Sequence, residues 1–585
     1  MPNFKSARPF VLSVLTGVLL ILIFPGFDLE PLAWIALVPL FFAIEDQPLP
    51  RAALCGLLAG VVFYFGGLSW VTNTLVDYGH QPPALSWLVL GILVLYLSFY
   101  VSLFCYLVKR FSRGNPLFFF LLAPPLWTAL EYLRSTHPEY GFSWLGLGYS
   151  QYATLPVIQV AEWTGVYGIS ALIVLVNAAV HYLANAWYFR GRDANVPLDP
   201  TPPPAGAEAG VTSPLQRGPG GFMLFAGAAS WPGRVAGATV FMVCACLGYG
   251  YFVLSIGPAG EAPDPTGLTR MANERTAGQS EPGHSAPGRS PSGRPVKIAL
   301  LQGNIEQGRK WDPAHSGKVW QTYRRLTLEA AKSSPDLIVW PEAATPFFFA
   351  NNREGNGAAR DLARTAGTAL LFGSPYQEDG PNGPLLYNSA FLVSAAGETL
   401  GRYDKIHLVP FGEFVPFRRL LWFVEKLVEM VGDFGRGVKS EVFQARGGRF
   451  AVSICYEIAF PDLVRRPVKD GAEFLVNITN DAWFGRSAAS RQHMGMGALR
   501  AVENRVPIAR AANTGISGMI DPMGRIRQAT PLFVEDLVLT EIFPSRRGPT
   551  YYSLYGDVFS YACIAACLIL PFLAPRGLRE DGTED

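Results

Sequence analysis

The chain has 585 residues, of which only 16 % are Asp, Glu, Lys or Arg, while 50 % are hydrophobic and the mean hydropathy is +0.21. An ordinary soluble protein carries about 25 % charged residues, so this chain cannot cover the roughly four soluble domains its length would allow, and it is too apolar to be disordered. A net charge of +2 gives no case for nucleic-acid binding.

A membrane-spanning helix needs about 20 mostly apolar residues. Seven such stretches follow one another, at 9–26, 31–45, 53–73, 84–108, 116–133, 167–189 and 235–255, and an eighth lies at 555–574. One alone could be a buried core helix; seven in succession, with few ionisable residues inside them, predict a transmembrane domain over 1–255. The first stretch reads as retained, because Phe24-Pro25-Gly26-Phe27 lacks the small-x-small pattern of a cleaved signal. With the N-terminus inside, twelve basic residues, from Lys5 and Arg8 to Arg576 and Arg579, fall on inside segments, and only Arg134 falls on the short outside loops before 256. The positive-inside rule then puts residues 256–554 outside, on the periplasmic face of a bacterial inner membrane. Residues 191–234 mix Pro, Gly and Ala, and 256–295 read as a flexible linker.

From Val296 the pattern changes. Short apolar or β-branched runs at 296–302, 336–340, 369–373, 389–394, 450–455, 473–478 and 508–512 predict strands, and 317–332 and 492–505 predict helices between them. This interleaving indicates an α/β domain over 296–545, followed by a C-terminal transmembrane helix and a short cytoplasmic tail in 546–585.

Six of the seven cysteines fall in apolar stretches and read as small buried hydrophobes. Cys455 is the only cysteine of the α/β domain, so it has no partner there for a disulfide. It ends a predicted strand, which sets its thiol at the rim of a sheet. A nucleophilic thiol needs a base and, for acyl chemistry, a cation or N–H donors for the oxyanion. Two other strand ends carry these types: Glu342 in Trp340-Pro341-Glu342, and Lys405 in Tyr403-Asp404-Lys405-Ile406-His407. Spacing alone does not show that the three meet. His407, two residues from Lys405, would face the same way in a strand and is the alternative partner for the thiol.

These three motifs, in this order, resemble the Glu–Lys–Cys triad of the carbon–nitrogen hydrolase (nitrilase) superfamily. With seven apolar stretches before the domain and one after it, the chain resembles the apolipoprotein N-acyltransferase family within it. Further segments agree: Gln302-Gly303-Asn304-Ile305 through Lys310-Trp311, Tyr387-Asn388, the run 477–484, Asn513-Thr514-Gly515, and in the apolar part 130–134 and 148–151. The resemblance implies about eight transmembrane helices plus an α-β-β-α sandwich. It implies two-step acyl transfer, from a membrane phospholipid to the enzyme thiol and then to the α-amine of an S-diacylglyceryl cysteine at an apolipoprotein N-terminus. Cys455 is then the nucleophile, Glu342 the base and Lys405 the oxyanion's cation, with Glu413, Tyr456, Glu457, Asn388 and Trp311 in support. No cofactor, metal or nucleic acid is implied, and Glu342 rather than His407 takes the proton. Two apolar segments, 347–349 and 420–428, read as arms that dip into the bilayer and bracket the path of the acyl chains. The competing readings are a membrane-tethered amidase that gives the acyl group to water, and a binding or transport protein without catalysis.

Overall fold

The computed structural model describes residues 4–79, 81–112, 114–137, 141–193, 231–257, 294–310, 312–380, 383–410, 412–414 and 434–573. Most of the 191–234 segment and of the 256–295 linker, the 420–428 arm, Trp311 and the C-terminal tail lie outside the described residues.

Before Val296 the described chain is helical: α1 (Phe4–Leu22), α2 (Val38–Glu45), α3 (Leu49–Leu68), α4 (Pro83–Ser112), α5 (Pro116–Thr136), α6 (Val166–Asp193) and α7 (Trp231–Ile256). Five helices, α3 to α7, are long and apolar enough to cross a membrane, while 6–22 and 558–573 form shorter apolar helices. The expected helix over 31–45 does not form as one piece. It is a 3-10 turn over Glu30–Trp34 followed by the eight-residue α2, with Pro31 and Pro39 each in a first helical turn. Proline supplies no N–H and blocks helix before it. The break is repaired by a side chain: Asn177 of α6 accepts from the Leu37 N–H (2.8 Å) and donates to the Ala33 carbonyl (2.8 Å). An apolar environment requires this, since no water satisfies the freed backbone groups.

The helices pack closely where glycine permits. A Cβ on Gly56 would lie 2.6 Å from the Val101 carbonyl, and one on Gly60 2.8 Å from the Ser98 Cα, so this Gly-xxx-Gly face lets α3 touch the α4 backbone. The helix ends sort into two sets. Asp28, Thr74, Trp144 and Val166 bond to Arg491, Trp483, Gln492 and Glu503 of the domain that follows. Glu45 instead bonds to Lys109 and Asn185, near the other ends of α4 and α6.

The described residues of the sheet domain form twelve strands: β1 (Val296–Gln302), β2 (Leu337–Val339), β3 (Ala369–Gly380), β4 (Gly383–Val393), β5 (Thr399–Asp404), β6 (Val442–Ala445), β7 (Gly448–Ile454), β8 (Phe474–Thr479), β9 (Ile508–Ala512), β10 (Gly518–Ile520), β11 (Ile526–Arg527) and β12 (Asp536–Ile542). They form two six-stranded sheets, in the orders β12-β1-β2-β3-β4-β5 and β11-β10-β9-β8-β7-β6. β1, β2 and β3 are parallel, as are β7, β8 and β9. Crossover helices α8 (Ser316–Ala331), α9 (Arg353–Ala366), α10 (Pro461–Lys469) and α11 (Ala489–Asn504) join them.

Strand alternation defines the layers. Ile298, Leu300, Val339 and Leu371 of one sheet share a core with Val452, Ile454, Val476 and Ala509 of the other. The intervening residues face outward: Ala299, Leu301, Ile338 and Phe372 against α8 and α9, and Ala451, Leu475 and Ile508 against α10 and α11. The architecture is an α-β-β-α sandwich, after which α12 (Val558–Leu573) returns to the helical body, with Tyr132 donating to Tyr561.

The 347–349 segment is not an exposed arm. Phe349 is 1 % exposed, packed 5.0 Å from both the Phe372 and Phe391 rings, and Phe347 lies 5.5 Å from Trp320. The domain core takes these rings because the turn after β2 folds back over β3.

Candidate active site

Glu342, Lys405 and Cys455 each follow the last residues of a strand: β2, β5 and β7. The chain turns sharply at two of these points. Ala343 has φ 46° and Cys455 φ 53°, a left-handed conformation that costs an L-residue on the order of 1–2 kcal/mol and is concentrated at functional sites. At Cys455 it stops the strand and starts a 3-10 turn over Cys455–Ala459.

The charged groups form one buried cluster. Lys405 Nζ donates to Glu413 Oε1 (2.9 Å) and to Glu342 Oε1 (3.3 Å). Asn388 Nδ2 bridges the same two oxygens, at 2.9 and 2.7 Å. Glu413 is fixed from behind by the Val409 N–H (2.9 Å). Lys310 Nζ donates to the Glu342 carbonyl (2.8 Å). Two atoms are left over: Glu342 Oε2 and Asn388 Oδ1 are buried without a hydrogen-bond partner among the described residues. A buried carboxylate oxygen with an open lone pair is poised to take a proton.

Electrostatics set the resting states. Burial pushes Glu342 up, but Lys405, the Asn388 amide and Lys310 outweigh it and hold its carboxyl below the ordinary range. Burial opposes the Lys405 ammonium, yet Glu413 and Glu342 keep it charged, its pKa above the ordinary lysine value. The Cys455 thiol is pushed up to about 12, first by burial and then by Glu342, with Lys405 opposing. The thiol, base and cation therefore sense one another's charge. The resting thiol is thus protonated at neutral pH and needs a base to take its proton as it attacks. Burial lowers Lys310 to about 8.

Glu457 is a strut. Its carboxylate accepts from the N–H groups of Ile454 (2.7 Å), Ile406 (2.7 Å) and His407 (3.1 Å), and from the Tyr403 hydroxyl (2.9 Å to each oxygen). It thus ties the turn bearing Lys405 to the turn bearing Cys455, and joins one sheet to the other. Tyr456 faces the helical body: its ring stacks 6.1 Å from Trp144 and meets Phe460 edge-on at 4.9 Å. His407 lies with its ring 3.6 Å from that of Phe460, and burial, then Arg436 and Lys405, lower it to about 4. It is neutral and turned toward the aromatic ring.

A second network supports the thiol. His493 of α11 reaches the Cys455 carbonyl through Nε2 (3.1 Å) and Asp481 through Nδ1 (3.1 Å), and Arg510 of β9 pairs with Asp481 (2.9 Å). Sequence reasoning missed His493, Arg510 and Lys310 as site residues. Lys310 and Asp481 stand inside quoted motifs, but α11 is buried on nearly every side, so no amphipathic stripe marks His493.

The class follows from these features: a carbon–nitrogen hydrolase domain seated on a body of apolar helices. Residues 297–552 match the family described as carbon-nitrogen hydrolase, and residues 16–179 match the apolipoprotein N-acyltransferase N-terminal domain. The chain is 39 % identical to the apolipoprotein N-acyltransferase of Geobacter metallireducens, covering 98 % of this chain and 97 % of that one. It is 32 % identical to that of Azotobacter vinelandii, covering 93 % and 90 %. The chain belongs to the apolipoprotein N-acyltransferase family. Among solved structures, an amidase of the nitrilase superfamily from Nesterenkonia is similar, at 21 % identity and a TM-score of 0.33, over 47 % of this chain and 96 % of that one.

Proposed function

We propose that this protein transfers an acyl chain from a membrane phospholipid, through a thioester on Cys455, to the α-amine of an N-terminal S-diacylglyceryl cysteine, giving a triacylated lipoprotein. The observation that carries the reading is the open, ionised Glu342 carboxylate held beside a charged Lys405 and a protonated Cys455, in a chain of this family.

Cys455 Sγ attacks the ester carbonyl carbon as Glu342 Oε2 takes the thiol proton. Lys405 Nζ and a backbone N–H of the turn after Cys455 stabilise the oxyanion. The tetrahedral intermediate collapses, the C–O bond breaks, and Glu342 returns the proton to the lysophospholipid alkoxide. In the second half the lipoprotein amine attacks the thioester carbon and gives a proton to Glu342. The C–S bond then breaks and that proton returns to the Cys455 sulfur. An ester is exchanged for an amide, a downhill conversion. Glu413 and Asn388 hold Lys405 and Glu342 in register, Glu457 holds the two turns together, Tyr456 faces the helical body, and Trp311 is a further supporting residue.

The division that fits this chemistry is a transmembrane domain of seven helices over 1–255, a linker over 256–295, a periplasmic catalytic domain over 296–545, and a final helix with a cytoplasmic tail over 546–585. The two sets of helix ends support about eight crossings. Asp28 bonds to the sheet domain and Glu45 to the far ends of α4 and α6, so the broken segment between them traverses the body despite its interruption. The basic residues of the inside segments favour the periplasmic face for the catalytic domain, in the bacterial inner membrane.

Purified enzyme given phospholipid and a diacylglyceryl peptide should yield N-acyl peptide and lysophospholipid in equal amounts. Free fatty acid without N-acyl peptide would contradict the transfer.

A further inference from the structure

We infer that His493 is a positioning residue whose Nε2–H clamps the carbonyl of Cys455 and so fixes the left-handed turn that aims the thiol. The inference rests on the proposed role of Cys455 as nucleophile.

A buried His–Asp pair beside a thiol invites another reading, that of a catalytic base with its orienting carboxylate. The hydrogen-bond partners decide against it. Nε2 lies 3.1 Å from the carbonyl oxygen of Cys455. That oxygen can only accept, so Nε2 carries the proton and its lone pair is unavailable to the sulfur. Arg510 Nη2 lies 2.9 Å from Nδ1. Nδ1 thus faces a guanidinium, which can only donate, and Asp481 Oδ1 at 3.1 Å, which can only accept. Whichever of the two Nδ1 bonds, Nε2 is committed to the carbonyl, and the ring turns no lone pair toward the sulfur. Burial and then Arg510 push its pKa down, with Asp481 opposing.

The remaining contacts hold the ring rather than free it. Arg510 also donates to both oxygens of Asp481 (3.1 and 2.9 Å), and Asp481 accepts from the Thr479 hydroxyl (2.9 Å). Trp144 and Phe484 of the surrounding aromatic cluster stand 5.5 and 5.8 Å away, ring to ring. Asp481 and Arg510 neutralise each other beside the ring. The clamped carbonyl belongs to the residue with φ 53°, a conformation the chain leaves unless something holds it. Glu457 holds the turn on one side, through the Ile454 N–H, and His493 holds it on the other.

The full-length protein in detergent, mixed with phospholipid, tests this by the rate at which intact-mass spectrometry sees the acyl adduct on Cys455. Glutamine can place an amide N–H where Nε2 stands; asparagine cannot reach. His493→Ala and His493→Asn should slow adduct formation about 100-fold, the effect of misplacing a reacting group by about 1 Å. His493→Gln should stay within about fivefold of wild type, the size of one imperfect hydrogen bond. All variants are compared at matched thermal melting, and if the alanine variant does not fold, the Gln–Asn pair decides. Equal rates for Gln and Asn would overturn the clamp while leaving the acyltransferase reading standing. No adduct on the wild-type protein would overturn both.

Discussion

The sheet domain and the helical body both bury charge, and they do so to different ends. In the sheet domain, Glu342, Glu413 and Lys405 share one oxygen-rich cluster, and Glu342 Oε2 is left without a partner among the described residues. At the seam with the helical body, charges are spent on attachment. Arg505 pairs with Glu162 at 2.7 Å, and Glu503 takes both Arg500 and the Val166 N–H that begins α6, each at 2.9 Å. Breaking a buried pair by removing one partner costs about 3–5 kcal/mol, because the other charge is left stranded. The difference teaches how to tell the two uses apart. Unpaired atoms do not separate them, since Glu162 Oε1 and Glu503 Oε2 at the seam are also buried without a partner among the described residues; the neighbour does, because the seam charges face the other body and the cluster charges face a thiol.

Substitutions can break this contrast, and the largest effect belongs to the thiol. Cys455→Ser should remove acyl transfer altogether, at least about 10³-fold, since a serine hydroxyl is a far weaker nucleophile with the same base; unchanged melting would show that the loss is chemical. Lys405→Ala should lower adduct formation about 10²–10³-fold, the size of a lost oxyanion partner, without unfolding the domain. It also leaves Glu342 and Glu413 facing each other, so the Glu342 pKa should rise, visible as an upward shift of the acid limb in the pH–rate profile. Near-normal acylation in that variant would reject the oxyanion role.

The seam should respond in the opposite sense. Glu503→Leu strands Arg500 and uncaps α6, and should cost about 3–5 kcal/mol in thermal or denaturant stability, with adduct formation by the surviving folded protein close to wild type. A large rate loss at unchanged stability would erase the distinction between holding and reacting charge. The smallest effect concerns pH in the wild-type protein. The Glu342 carboxyl is held below its ordinary value of 4.5. A depressed folded-state pKa means that its charge stabilises the fold above that value and that the contribution is lost as pH falls through the folded pKa. The acylation rate should accordingly be flat on the acid side to about pH 5 and decline only below it; an acid limb centred near 6 would assign the base elsewhere.

Much of this was legible before any coordinates. The strand ends bearing Glu342, Lys405 and Cys455 stand out because β2 and β7 are short apolar runs that stop at a polar residue. The five long helices are legible because each is apolar enough over a length that can cross a membrane. What could not be read depends on distant partners. The run 31–45 has the composition of a span, and only the two prolines hint at the break that Asn177 closes from α6. Phe349 lies in an apolar triplet that suits a membrane surface as well as a core, and the decision belongs to Phe372 and Phe391 in other strands. The edge strands β6 and β11, of four and two residues, are too short to announce themselves. Glu457 could not be recognised as a strut, because its donors come from 403–407, about fifty residues upstream.

The central claim is that Cys455 carries the acyl group between donor and acceptor. Intact-mass spectrometry of the purified protein incubated with phospholipid alone tests it most directly. The account predicts one added acyl chain, located on Cys455, released by an amine acceptor and absent from Cys455→Ser. An unmodified wild-type protein that nevertheless produces N-acyl peptide when the acceptor is added would contradict it, since transfer would then bypass the thioester.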